Sequence, residues 1–107
     1  MPDTPPDASV APEDCETMRE VRAGVDALDA ELVALLGRRF AYMRAAARIK
    51  PNRGAVRDEA RKDEVIANAV ALAKAGGLPA DLIAGLWEQL VENCITYELG
   101  EWDRTRG

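Results

Sequence analysis

From about Thr17 to Lys50 the sequence has no proline, and its apolar or small residues return by alternating fours and threes at Val21, Val25, Leu28, Leu32, Leu35, Tyr42, Ala46 and Ile49. That period keeps one face of an α-helix apolar along its whole length. A single long amphipathic helix is therefore the element around which the rest of the chain has to be arranged. At 107 residues there is enough chain for one core, but not enough to enclose a roomy ligand site unaided, so self-association is expected.

The rest of the chain is punctuated in the same way. Pro51 ends the long helix, and a short basic loop, Pro51 to Val56, leads through Arg57 and Asp58 into a second helical stretch. Asp58 and Glu59 suit its N-terminus. This stretch carries Val65, Ile66, Ala69, Val70, Leu72 and Ala73, and Gly76-Gly77 reads as its C-cap. A third helix is expected from Pro79 to about Trp102, with Leu82, Ile83, Leu86, Trp87, Leu90, Val91, Cys94, Ile95 and Leu99 on a broad stripe and Gly100 weakening its end. Residues 1–11 carry three of the six prolines among small and acidic residues, and read as a disordered tail before a domain over 12–107. With few aromatics and apolar content supplied largely by Ala, Leu and Val, the expected class is all-α, with three helices.

Composition also removes whole classes of chemistry. Histidine is absent and there are two cysteines, Cys15 and Cys94. Ser-His-Asp triads, Cys-His pairs and the usual zinc sites have no residues to draw on, and no metal or cofactor is expected. Cys94 lies in an apolar stripe with no basic neighbour in its helix and reads as an inert buried thiol. Trp87 and Trp102 read as core or interface. The formal charge of -5 argues against general nucleic-acid binding. Nothing near the start resembles a signal peptide, so a reducing, cytoplasmic setting is expected, with no membrane partner.

The informative residues are charges that interrupt apolar stripes, because an ionised group facing a core is costly without a partner or ligand. Arg39 takes the seam position between Leu35 and Tyr42. Lys50 follows eleven residues later on nearly the same face, about 16 Å along the axis. Two such cations leave room for a small dianion, Arg supplying the bidentate grip; snorkelling at a helix interface is the ordinary alternative. Arg61, in series with Val65, Ala69 and Leu72, and Glu98, after Trp87, Val91 and Cys94, are both expected to point inward. The stretch from Arg38 to Lys62 holds nine of the fourteen Lys and Arg against only Asp58 and Glu59, which favours an anionic small-molecule ligand. Arg22 has Asp26 as an ordinary i+4 partner, and Asp26, Asp29 and Glu31 read as a solvated helix face.

Taken together, Arg22, Gly37-Arg38-Arg39, Lys50, Val56-Arg57-Asp58, Arg61 and Glu98 on a long, short, long helix pattern resemble the all-helical chorismate mutase family over Pro12 to Arg106. Within it, Pro12-Glu13-Asp14-Cys15, Leu36-Gly37-Arg38-Arg39 and Trp102 before Thr105-Arg106-Gly107 are most similar to the isochorismate-pyruvate lyase subgroup of salicylate synthesis. The resemblance implies an intertwined homodimer with two sites, each borrowing Arg22 from the partner. It implies Arg22 and Arg39 on the substrate carboxylates, Lys50 and Glu98 at the breaking ether oxygen, and Arg61 and Asp58 completing the pocket. Lys50, Glu98 and Arg39 are then the catalytic set, acting on chorismate or isochorismate without cofactor.

The sequence departs from the family pattern at three positions. Glu98 stands where many relatives have glutamine, Lys62 where many have glutamate, and Cys94 where serine is common. A glutamate must carry a proton to donate a hydrogen bond, so turnover is expected to improve at mildly acidic pH. Asp58 matches the mutases better than the lyase. The expected activity is conversion of chorismate to prephenate, with lysis of isochorismate to salicylate and pyruvate as the close alternative or a second activity. A non-catalytic helical dimerisation module and a basic patch for polyanions are the rivals from other classes.

Overall fold

The computed structural model describes residues 10–106. The disordered-tail reading of 1–11 thus concerns mainly residues that lie outside those described. Among the described residues the chain forms three α-helices, α1 (Met18–Ile49), α2 (Glu59–Ala75) and α3 (Ala80–Arg106). Two 3-10 turns, Pro12–Asp14 and Arg53–Ala55, accompany them, and there is no strand. The all-α, three-helix expectation holds.

The ends of these helices follow from side-chain chemistry. Before α1, Glu20 Oε1 accepts from the backbone N–H groups of Glu16 at 2.8 Å and Thr17 at 3.0 Å, while Glu20 N–H donates to Thr17 Oγ1 at 3.2 Å. This reciprocal capping box satisfies donors that the first turn leaves without helical partners. The backbone bonds to Glu20, that from Glu16 foremost, hold its carboxyl below the usual carboxylate range. Asp58 caps α2 by accepting from Arg61 N–H at 3.0 Å. At the other end, Leu78 N–H donates to Ala73 O at 2.8 Å and Gly77 N–H to Lys74 O at 3.2 Å. Gly77 has φ 74°, the left-handed conformation that this paired-bond ending requires.

By its internal contacts the chain divides into two units, Met1–Arg39 and Phe40–Gly107. In the first, α1 leaves Val21, Val25, Leu28, Leu32 and Leu35 exposed; these are the seam positions read from the sequence.

The second unit holds the core. Val56, Val91 and Ile95 are buried together, with Val65, Ile66, Trp87, Leu99 and Trp102 packed against them. The small Ala69 and Ala73 are buried on α2, which allows a close approach to α3. Phe40 meets Tyr97 edge to face, ring centroids 4.8 Å apart, and Arg44 donates to the Tyr97 hydroxyl at 2.9 Å, so the last turns of α1 are anchored on α3 within this unit.

Helix α3 does not stop near Trp102 as expected but continues through Gly100 to Arg106. The weak propensity of one glycine, about 1 kcal/mol, is outweighed here by tertiary anchoring: Trp102 packs on the core and Arg106 donates to backbone carbonyls at the end of α1.

Candidate active site

Lys50 is the residue at which α1 runs out. Its N–H still donates to Ala46 O at 2.9 Å, but Pro51 cannot donate onward. The side chain is directed to the second unit's interior, where Nζ donates to Val56 O at 3.3 Å and lies 2.7 Å from Glu98 Oε2. Glu98 is 4% exposed and is the buried charged residue of the described chain. It belongs to the face of α3 that also buries Val91, Cys94 and Ile95, so the inward direction expected from the periodicity is what the helix gives it.

The pair is close but not aligned as a hydrogen bond, since Glu98 Oε2 is without an aligned donor. At 2.7 Å the two opposite charges form an ion pair. A buried carboxylate with unused acceptor capacity beside an ammonium 29% exposed leaves Lys50 with N–H directions free for a ligand oxygen, because an ammonium has three donors. Such a group can stabilise negative charge that develops on a substrate oxygen.

The other expected site residues are placed less centrally. Asp58 and Arg61 share the first turn of α2, and their polar contacts are local: Asp58 Oδ1 accepts from Arg61 N–H, and the Arg61 guanidinium pairs with Glu64. The inward direction read for Arg61 is wrong. Its side chain is 62% exposed, and Leu72, expected on the same inner face, is exposed as well. At about 100° per residue, the residues that pack inward, Val65, Ile66, Ala69 and Ala73, centre on the direction of Lys62, about a quarter turn from Arg61 and Leu72. Arg22 and Arg39 lie on α1 in the first unit, Arg22 exposed and Arg39 half-buried.

Lys62 was noted in the sequence as a departure from the family pattern and as the end of the basic stretch, but not as the centre of a charge network. Its side chain is 13% exposed, with Nζ 2.5 Å from Glu88 and 2.6 Å from Glu92. Glu92 also receives both guanidinium nitrogens of Arg57, at 3.0 and 2.8 Å, and Arg57 reaches Glu59 at 2.7 Å. The hydrogen bond to Glu88, then that to Glu92, holds Lys62 above the ordinary lysine range. Arg57, bonded first to Glu92 and then to Glu59, is likewise raised. Glu92 is pulled down to about 2, first by Arg57 and then by Lys62. The signal was available: Glu88 and Glu92 are one helical turn apart on α3, and Lys62 is in phase with the buried alanines. The network consumes the positive charge of Arg57 and Lys62, so less of the basic stretch is available to an anion than a count of residues suggests.

Two comparisons with known proteins bear on this arrangement. The model of the family described as chorismate mutase type II matches residues 21–99. The chain is also 32% identical over 96 residues to isochorismate pyruvate lyase of Pseudomonas aeruginosa, an alignment covering 90% of this chain and 95% of that protein.

Proposed function

Because this chain belongs to the type II chorismate mutase family, we propose that it rearranges chorismate to prephenate, and that the same site can split isochorismate into salicylate and pyruvate. The observation that carries the reading is the Lys50–Glu98 pair: a 2.7 Å contact to a carboxylate 4% exposed, at two positions where the resemblance expects the reacting ether oxygen to be addressed.

Both reactions break the bond between a ring carbon and the ether oxygen of the enolpyruvyl group. In the rearrangement the enolpyruvyl methylene carbon bonds to the ring as the C–O bond opens, and no atom is lost. In the lysis a ring hydrogen passes to that methylene as the C–O bond opens, giving pyruvate and an aromatic ring. In each the ether oxygen gains electron density, and the Lys50 ammonium donates to it. Glu98 sets the position of Lys50. Holding a flexible dianion in its reactive conformer supplies the rest of the acceleration, with Arg39 and Arg22 of the partner subunit on the carboxylates. Arg61, once drawn from Glu64, and Asp58, through the oxygen not used for capping, complete the pocket.

The dimer in this proposal is supported by the exposed row Val21, Val25, Leu28, Leu32 and Leu35 on α1, a seam with the spacing that a second helix fills. Residues 12–107 then act as one catalytic domain. No helix of the described residues is long and apolar enough to cross a membrane. The low cysteine count and the charge of -5 support a cytoplasmic protein whose partners are a small molecule and a second copy rather than nucleic acid.

The test is turnover of chorismate and isochorismate side by side, following prephenate, salicylate and pyruvate, with Arg39→Ala as control. Prephenate establishes the mutase, and salicylate with pyruvate the lyase. Silence on both substrates refutes the enzyme and leaves the helical binding module.

A further inference from the structure

The last turn of α3 is joined to the last turn of α1 by one side chain. Arg106 Nη1 donates to Ala47 O at 2.7 Å, and Nη2 donates to Lys50 O at 2.9 Å and Arg48 O at 3.4 Å. These are carbonyls that a helix C-terminus leaves without intrahelical partners, and a cation there also meets the negative end of the helix dipole. The guanidinium lies 4.6 Å from the Trp102 ring centroid, and Trp102 is packed on the core, so the fork is seated by cation–π contact one turn before it reaches across.

A second strap crosses beside it. Arg53, in the turn after Lys50, makes a bidentate pair with Asp103, Nε to Oδ1 at 2.8 Å and Nη2 to Oδ2 at 3.1 Å. The segment between the two straps holds Lys50, whose ammonium is fixed by Val56 O and Glu98. All these groups lie in the second unit, and Trp102, Asp103 and Arg106 lie past the residues 21–99 that the family model matches.

We propose that Arg106 is a positioning residue for Lys50, seated on Trp102 and acting with the Arg53–Asp103 strap to fix where the ammonium points during turnover. This rests on the reading of Lys50 as the group that meets the ether oxygen. Helix ends fray when their carbonyls lose partners, and a catalytic group displaced by about 1 Å can cost about a hundredfold in rate. Lysine cannot replace Arg106 fully, because one ammonium lacks the planar fork that spans several carbonyls. Arg106 is itself exposed, so its effect falls on placement more than on global stability.

The experiment compares Arg106→Ala and Arg106→Lys in the full chain, each alone and in a Lys50→Ala background, alongside amide hydrogen exchange at Ile49 and Lys50. Arg106→Ala should lower kcat by about tenfold with KM within about twofold, while the thermal midpoint moves little. Arg106→Lys should fall between it and the parent, and carries the test if the alanine variant misfolds. In the Lys50→Ala background neither change should lower kcat further, and exchange at both amides should speed up in either variant. Equal kcat losses with and without Lys50, or unchanged exchange, overturn the proposal. A parent protein with no turnover, in which Arg106→Ala still speeds exchange at those amides, refutes the proposed function and supports the clamp.

Discussion

Replacing Lys50 by methionine keeps an unbranched side chain of similar reach and removes the ammonium beside Glu98. The consequence for stability can be worked from the pair itself. Glu98 is 4% exposed, and its Oε2 depends on Lys50 at 2.7 Å, with no aligned hydrogen-bond donor. Breaking a buried pair from one side costs about 3–5 kcal/mol, because the remaining charge is left uncompensated. Lys50 is 29% exposed and water can reach its end of the pair, which places the loss near the lower end, about 3 kcal/mol. In a domain of this size that lowers Tm by more than about 10 °C. Adding Glu98→Gln removes the stranded charge and should recover most of the loss, while activity stays low because the donor is still missing. Thermal melts by far-ultraviolet circular dichroism read this out, at one fixed protein concentration because self-association shifts the midpoint. A Lys50→Met protein that melts within about 3 °C of the parent, well under the shift expected for such a loss, would refute the reasoning. So would a double variant whose losses simply add.

Glu92, pulled down to about 2 from 4.5 by Arg57 and Lys62, supports the fold above its unfolded value, and that support is lost as pH falls from about 4.5 toward 2. Glu92→Gln should therefore be less stable than the parent at neutral pH and lose less on acidification, and parallel acid-unfolding curves would count against the pairing. Gly77→Ala places a Cβ at φ 74°, and should cost about 1–2 kcal/mol, seen as a lower urea midpoint; an unchanged midpoint would mean that the turn is not held in that conformation.

The sequence made some features of the structure legible and hid others, for physical reasons. The start of α1 just after Thr17, its end before Pro51 and the close of α2 at Gly76-Gly77 are written in local chemistry: a capping box, a missing donor, a residue able to take positive φ. Lys50 and Glu98 stood out because each interrupts an apolar stripe, and the fold brings them to 2.7 Å. Arg61 misled because a series at i+4 spacing drifts about 40° per step around a helix, so its neighbours Val65 and Ala69 can face inward while it does not. The pairing of Lys62 with Glu88 and Glu92 was not foreseen because those partners are on another helix, and no local pattern joins them to it. The continuation of α3 past Trp102 to Arg106 depended on Trp102 and Arg106 finding anchors far away in sequence, which propensity does not register.

Val56 belongs at once to the core and to the candidate site. Its side chain is buried with Val91 and Ile95, and its carbonyl receives the Lys50 ammonium. Heating that loosens this cluster also releases the carbonyl that accepts from Lys50, so this contact of the candidate site lasts as long as the core does. Activity and helicity should then disappear at one temperature, and the rate should climb with heat until the protein melts rather than pass through an optimum well below it.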